Sequence, residues 1–218
     1  MSGARPILYS YFRSSASYRV RIGLALKGID YEYRAVHLVE EGGAQYKPAY
    51  AALNPMREVP SLLIDGHVLS QSLPILEYLD ETRPAPPLLP ADAYGRAKAR
   101  QLAECVNASI QPLQNLRVLK KLETDFGAVE ETRRAWVAHF IHSGFRGIEA
   151  ILRDTAGTFA VGDAVTIADL CLVPQVVGSA RFGVTLEDYP RLAAVAAHAA
   201  ALPAFEAAHP SRQPDAQS

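Results

Sequence analysis

The chain is poor in the features that mark secreted, membrane-spanning and nucleic-acid-binding proteins. Its 218 residues include only two cysteines, Cys105 and Cys171, far apart and outside any CxxC spacing. This predicts reduced thiols in a cytoplasmic protein rather than a disulfide framework. The formal net charge of −1 gives no electrostatic reason to expect nucleic acid as a partner. No apolar run approaches the roughly 20 residues that span a bilayer. The polar start of the chain predicts no signal peptide, so we expect no membrane partner.

Metal-ligand spacings are also missing. His139 and His142 lie three positions apart on a predicted helix, but no HExxH motif or paired-carboxylate spacing accompanies them. We therefore predict no metal site.

The first 82 residues alternate strand and helix signals in the order βαβαββα. Strands are predicted at 7–12, 31–36, 61–64 and 67–69, and helices at 15–27, 45–53 and 72–81. Asp65-Gly66 between the last two strands is typical of a tight hairpin. Residues 1–82 are thus predicted to form an α/β domain.

A proline-rich segment, 83–92, cannot continue a helix and predicts a stiff linker. Helical patterns follow, and they predict an all-helical domain over 93–210. Pro112 predicts a break in the first of its helices, and Thr166 with Asp169 has the form of a capping box that serves structure alone. The polar residues 211–218 are predicted to be a disordered tail.

The stretch from Phe12 to Arg21 gathers three serines and three arginines after the first predicted strand. Ser14 and Ser15 fall at a strand-to-helix turn, where unpaired backbone N–H groups carry partial positive charge. Serine is also simply a favoured helix N-cap. The residues alone therefore leave two interpretations open, a capped helix start or a site for an anion or thiol, with Ser17 better suited to capping alone.

The three arginines of this stretch are expected to differ in role. Arg13 and Arg19 would raise the positive potential near the serines. Arg21 is predicted to be a solvated helix residue.

An ordered set of motifs resembles the zeta class of glutathione transferases, over roughly residues 5–215. The motifs are Ser14-Ser15-Ala16-Ser17-Tyr18-Arg19-Val20-Arg21-Ile22, Ala52-Leu53-Asn54-Pro55, Val59-Pro60, Gln71-Ser72, 110–119 and 168–175. The resemblance implies a thioredoxin-like N-terminal domain followed by an all-α domain, in a homodimer. It departs from the class at Ala16, where the class often has cysteine, so a protein thiol is excluded there and glutathione must bring the sulfur.

The resemblance implies glutathione as cofactor and a small dicarboxylate as substrate. The expected reaction is cis–trans isomerisation of maleylacetoacetate to fumarylacetoacetate, in tyrosine and phenylalanine catabolism, by reversible addition of the glutathione thiolate. Three alternatives stay open. They are isomerisation of maleylpyruvate, glutathione transfer to α-haloacids, and a non-catalytic module that keeps the fold for protein binding.

The implied site residues divide by role. Arg13, Ser14 and Ser15 are expected to act in catalysis, and Arg13, Arg117 and Arg181 to hold substrate carboxylates. The bond before Pro60 is expected to be cis, turning the Val59 backbone towards glutathione. The expected glutathione-binding set is Ser14, Ser15, Ala16, Ser17, Tyr18, Arg19, Gln45, Val59, Pro60, Gln71, Ser72, Gln111, Asn115, Leu116 and Arg117.

Overall fold

A computed structural model of the chain describes residues 4–216. They divide into two compact units, one of residues 4–88 with 202–216 and the other of residues 89–201. The division after residue 88 falls inside the proline-rich segment 83–92.

The first unit is built on a four-stranded mixed sheet. Its strands are β1 (Ile7–Ser10), β2 (Glu32–Ala35), β3 (Ser61–Ile64) and β4 (His67–Ser70), in the spatial order β2-β1-β3-β4. Strands β1 and β2 are parallel and the other pairs are antiparallel. Helix α1 (Ser15–Leu26) is the crossover that parallel pairing requires. The short α2 (Pro48–Leu53) and α3 (Ser72–Thr82) complete the predicted βαβαββα order, which is confirmed.

The core of this unit lies between the sheet and helices α1 and α3. Apolar side chains from β1, β3, α1 and α3 form one buried cluster of Leu8, Val20, Leu24, Leu62, Ile64, Ile75 and Leu79. Burying one such side chain contributes about 1.5–3 kcal/mol. This packing holds the N-termini of α1 and α3 in place on the sheet.

The second unit is all-helical, as predicted. It contains α4 (Ala93–Asn107), α5 (Leu116–Phe126), α6 (Glu130–Thr155), α7 (Ile167–Ser179) and α8 (Pro190–Ala200). Helix α7 packs against α4 and α8. The predicted break at Pro112 is confirmed, because a 3₁₀ turn, Gln111–Gln114, separates α4 from α5. Across residues 4–216 no helix combines the length and the apolarity that crossing a bilayer needs.

The end of the chain differs from the prediction. Helix α9 (Pro203–Ala207) and the residues after it belong to the first unit, not to a helical domain that runs to residue 210. Residues 211–216 are not a disordered tail, since Pro210–Arg212 forms a 3₁₀ turn and the Asp215 carboxylate accepts two hydrogen bonds. Residues 217 and 218 of the predicted tail lie outside the described residues. The partners of Asp215 lie about 200 positions earlier, so no local pattern shows them.

Asp169 secures the start of α7. Its carboxylate accepts hydrogen bonds from the backbone N–H groups of Thr166 (2.9 Å) and Ala160 (2.8 Å), and Thr166 Oγ1 accepts from Ala168 N–H. The residue is 1% exposed, and burial raises the pKa of its carboxyl to about 6. Asp169 of the predicted capping box therefore also accepts a hydrogen bond from the loop before α7, at the N–H of Ala160.

Replacing Asp169 with alanine should lower the free energy of unfolding by about 3 kcal/mol, because a cap is lost and buried N–H groups are left without acceptors. Urea unfolding at pH 7 measures this. The exposed Asp154→Ala variant is the control and should stay within about 0.5 kcal/mol of the wild type. A loss no larger than that of the control would contradict the structural role.

Candidate functional site

The turn before α1 presents Ser14 at the helix N-terminus. The N–H of Ser14 donates to Tyr11 O (3.0 Å), and Ser14 Oγ accepts from the N–H of Ser17 (3.1 Å). Ser14 is thus the N-cap, and the prediction that Ser17 caps is wrong. A hydroxyl has two lone pairs and one proton, so Ser14 can cap the helix and still donate one hydrogen bond.

Free backbone donors surround that hydroxyl. Within the described residues the amides of Ser15 and Ala16 form no hydrogen bond, as expected for the first turn of a helix. Both side chains are half-buried. Ser17 is fully buried, and its hydroxyl oxygen has no hydrogen-bond partner among the residues described. The start of α1 therefore offers the Ser14 hydroxyl and two amides to an anionic group.

Of the three arginines in this stretch, one exposes its charge. Arg13 is exposed, with its guanidinium 5.3 Å from the centre of the Phe12 ring. Arg19 is fully buried and its Nη1 donates to Ser72 Oγ (3.0 Å). Arg21 is 1% exposed, so the prediction of a solvated residue is wrong. Its helix face is covered by the chain's C-terminal segment, whose Ala208 carbonyl accepts from Arg21 Nε (3.0 Å).

The hydrogen bond from Arg19 ties α1 to the start of α3. Ser72 is buried, and because its oxygen accepts from Arg19, its own proton is directed elsewhere. Gln71, which precedes it, has a φ of 69°, and its side-chain Nε2 donates to Glu58 Oε2 (3.1 Å). A helix start with a serine hydroxyl suits a carboxylate. Arg19 is therefore a buried hydrogen-bond donor to Ser72 and adds no exposed positive charge beside Ser14.

The loop before β3 contains a residue, Val59, whose backbone groups are unpaired within the described residues. The Val59–Pro60 peptide bond is cis, as predicted. In the described part of the chain neither the N–H nor the C=O of Val59 forms a hydrogen bond. An extended peptide can pair with such a backbone as if it were an added strand.

Two residues that the sequence prediction missed hold this loop. The Tyr50 hydroxyl and Asn54 Nδ2 both donate to Glu58 O (2.6 and 2.8 Å). Both also contact Ser61 Oγ, at 3.0 and 3.2 Å. The one local signal is Asn54-Pro55, which predicts the end of the 45–53 helix and belongs to a family motif but does not indicate this bracing role.

Gln45 lies buried beside Gly43. Its Nε2 donates to Leu38 O (3.2 Å), and its Oε1 has no hydrogen-bond partner among the described residues. A Cβ at Gly43, whose φ is 97°, would come within 2.6 Å of the Gln45 amide, so only glycine fits there. A buried acceptor without a partner costs about 1–3 kcal/mol, so a ligand donor at Gln45 Oε1 would be stabilising.

In the second unit, the predicted residues cluster at the break before α5. Gln111 opens the 3₁₀ turn, and Asn115 caps α5 by accepting from the N–H of Arg117 (3.1 Å). Leu116 and Arg117 are exposed on the first turn of α5. Arg181 lies in the 3₁₀ turn after α7 and is exposed, with its guanidinium 6.0 Å from the centre of the Phe182 ring.

A pair of amides fixes this break. Gln114 and Gln175 donate to each other's side-chain oxygens (2.9 and 3.2 Å), and Gln175 is fully buried on α7. Trp136 Nε1 donates to Leu113 O (2.9 Å). Gln114 and Gln175 belong to family motifs that indicate no role for them, and the structure shows that they brace the segment that carries Gln111 and Asn115.

The fold, an α/β unit followed by an all-helical unit, is matched by two models of the glutathione S-transferase family. The model described as "Glutathione S-transferase, N-terminal domain" matches residues 8–87, and that described as "Glutathione S-transferase, C-terminal domain" matches residues 117–208. The chain therefore belongs to the glutathione S-transferase family.

Similar proteins indicate the class within the glutathione S-transferase family. Maleylacetoacetate isomerase of Rattus norvegicus is 50% identical over 99% of this chain and 97% of its own length. A bacterial maleyl pyruvate isomerase, described as a zeta-class glutathione S-transferase, superposes with a TM-score of 0.93 at 46% identity, covering 97% of this chain and all of its own. The zeta-class resemblance is thus confirmed.

A third relative has been crystallised with ligands. Maleylacetoacetate isomerase of Anaeromyxobacter dehalogenans superposes with a TM-score of 0.87 at 50% identity, covering 97% of this chain and 98% of its own, with glutathione in its active site. A second structure of it holds dicarboxyethyl glutathione and citrate, at a TM-score of 0.86 and 49% identity, with 98% of each chain covered.

Arg19→Ala should lower the free energy of unfolding by about 3 kcal/mol, because it empties a buried volume and leaves Ser72 without its donor. Chemical denaturation measures this. Arg13→Ala removes an exposed arginine from the same stretch and should change stability by less than about 0.5 kcal/mol. Equal losses in the two variants would contradict the assignment of Arg19 to the interior.

Proposed function

We propose that this protein is a glutathione-dependent isomerase that converts maleylacetoacetate to fumarylacetoacetate. The observation that carries the proposal is the start of α1, where the half-buried Ser14 hydroxyl and the unpaired amides of Ser15 and Ala16 lie together at a helix N-terminus that contains no cysteine. Relatives at 50% and 46% identity over nearly the whole chain bear the names of glutathione-family isomerases. A cytoplasmic homodimer is part of the proposal.

The residues of the first unit fit glutathione. The open backbone of Val59 suits the peptide's extended cysteinyl part, and Ser72 with the first turn of α3 suits its γ-glutamyl carboxylate. Gln45 supplies the unsatisfied oxygen described above, towards the glycyl end. Bound glutathione would supply the sulfur nucleophile, whose reversible addition to the cis double bond permits rotation.

The task of the helix start is to keep the thiol ionised. A free thiol has a pKa near 8.5 and is mostly protonated at pH 7. The Ser14 O–H would donate to the sulfur while its oxygen continues to cap α1, and the positive end of α1 favours the anion. The exposed guanidinium of Arg13 adds positive charge beside it. No general base is needed for a sulfur that is already ionised.

Arginines would hold the diacid. Arg117 and Arg181 are exposed in the second unit, and Arg13 in the first. Each presents a planar fork that can bind a carboxylate through two parallel hydrogen bonds. Gln111, Asn115 and Leu116 lie at the braced break beside Arg117, in keeping with a pocket wall.

Maleylpyruvate is the second candidate substrate, since the structure with a TM-score of 0.93 is of a maleyl pyruvate isomerase. The two diacids would undergo the same chemistry at the same thiol site. A side-by-side assay of both, each with and without glutathione, separates them. Turnover of neither diacid, together with no stabilisation by glutathione, would overturn the proposal in favour of a non-catalytic module. Turnover of α-haloacids alone would favour a transferase.

Ser14→Ala should raise the pKa of the bound thiol and lower kcat about 100-fold, because one preorganised donor to the sulfur is lost. The loss of the cap should lower the free energy of unfolding by about 1 kcal/mol, which spares folding. Stopped-flow turnover and the pH dependence of thiolate absorbance measure the two effects. Ser14→Thr keeps a hydroxyl and should recover much of the activity. Unchanged turnover in Ser14→Ala would show that the hydroxyl has no such role.

Arg117→Ala should raise the KM for the diacid about 10- to 100-fold and leave the KM for glutathione nearly unchanged, because one charge-assisted carboxylate contact is lost. Steady-state kinetics with each substrate varied in turn measures the ratio. Lys120→Ala removes an exposed cation one turn further along α5 and serves as control. Equal effects on both KM values would exclude a carboxylate clamp at Arg117.

A further inference from the structure

The last described residues of the chain lie along α1. The Tyr18 hydroxyl donates to Phe205 O, and Arg21 Nε donates to Ala208 O, each at 3.0 Å. Gln213 Nε2 donates to the carbonyls of Ala207 and His209, which folds the segment back on itself. We name residues 202–216 the C-terminal segment.

Arg21 connects this segment to the turn that carries Ser14. Besides Ala208 O, its guanidinium donates to Phe12 O (3.2 Å), to Ser10 Oγ (3.2 Å) and, at 3.5 Å, to Tyr11 O. Tyr11 O is also the acceptor for the N–H of Ser14. The carbonyl side of the turn at residues 11–14 is therefore held by one buried cation.

Asp215 holds the opposite side of the same turn. Its Oδ2 accepts from the N–H of Phe12 (3.1 Å), and its Oδ1 accepts from the Tyr33 hydroxyl (2.6 Å). Burial and this hydrogen bond raise the pKa of Tyr33, so the hydroxyl keeps its proton and stays a donor. Phe12 lies two residues before Ser14. Its carbonyl accepts a hydrogen bond from Arg21, and its N–H donates one to Asp215.

The charge of Asp215 also acts on Arg21. Burial lowers the pKa of Arg21, whereas the negative charge of Asp215 acts in the opposite direction. A buried charge is tolerated when opposite charge and hydrogen bonds compensate it. The C-terminal segment therefore contributes both a hydrogen-bond acceptor for Arg21, the Ala208 carbonyl, and a carboxylate whose negative charge favours the charged guanidinium.

We propose that Asp215 and Arg21 are positioning residues for Ser14, which fix the turn at residues 11–14 so that the Ser14 hydroxyl meets the ligand sulfur in the geometry that ionises it. The inference rests on the proposed function for the identity of that sulfur. A misplacement of about 1 Å at a reacting group can lower turnover about 100-fold. The hydrogen bonds on both sides of this turn should therefore affect the rate of the reaction.

The test compares Asp215→Ala with Asp215→Asn and Glu206→Ala. Asp215→Ala removes both hydrogen bonds and the charge. In Asp215→Asn the side-chain amide oxygen can still accept from Phe12 N–H, and the side-chain NH₂ can donate to the Tyr33 oxygen. Both hydrogen bonds can therefore remain while the charge is lost. Glu206 lies in the same segment and forms an exposed ion pair with Arg212, so Glu206→Ala controls for a general loosening of the C-terminal segment.

Two readouts separate positioning from mere stability. In the protein without glutathione, hydrogen exchange followed by NMR should show Phe12 N–H protection about tenfold lower in Asp215→Ala than in the wild type. With glutathione, thiolate absorbance against pH should give a thiolate fraction at pH 7 about tenfold lower, with kcat lowered and the KM for the diacid unchanged. Asp215→Asn should recover part of both effects, and Glu206→Ala should match the wild type.

The outcomes distinguish this inference from the proposed function. A wild type that ionises bound glutathione, with an Asp215→Ala variant that ionises it equally well, would overturn the positioning role alone. A wild type that does not lower the thiol pKa would overturn the proposed function and, with it, the link from the turn to a thiol. Should Asp215→Ala fail to fold, Asp215→Asn and Tyr33→Phe supply the comparison, since Tyr33→Phe removes the donor to Asp215 Oδ1 and leaves the carboxylate in place.

Discussion

The buried guanidinium of Arg21 is the constraint around which the start of α1 is organised. A cation 1% exposed requires hydrogen-bond acceptors on every donor and an opposite charge nearby. The end of β1, the turn after it and the C-terminal segment together supply them. Because these three segments meet at one charge, the position of Ser14 is coupled to residues at the far end of the chain.

The stretch 12–21 shows how one cluster of similar residues divides into different roles. Ser14 caps the helix and keeps a proton to donate, whereas Ser17 points into the interior. Arg13 stays exposed, while Arg19 binds Ser72 and so joins the starts of α1 and α3. Successive positions on a helix point about 100° apart, so burial differs sharply between near neighbours. The positive character of the proposed thiol site thus comes from Arg13 and the helix dipole, with the other two arginines acting through hydrogen bonds.

Much of the fold could be predicted because its signals are local. The hairpin at Asp65-Gly66, the break at Pro112 and the capping box of Thr166 and Asp169 each depend on residues within a few positions of one another. The candidate site was predicted in part, since the serines, the cis bond before Pro60 and Gln71-Ser72 belong to motifs. Tyr50, Asn54, Gln114 and Gln175 were not assigned roles, because a bracing side chain is defined by a partner that the motif does not contain.

The sequence by itself determined the element order, the family and the absence of a cysteine at the candidate thiol site, because residue types and their near neighbours carry that information. Only the tertiary structure decided which serine caps α1, which arginines are buried and where the chain's end lies. Those outcomes depend on contacts between residues about 200 positions apart, such as Phe12 with Asp215 and Tyr18 with Phe205. Burial and long-range hydrogen bonding are properties of packed surfaces, and no local pattern encodes which surface will cover a given helix face.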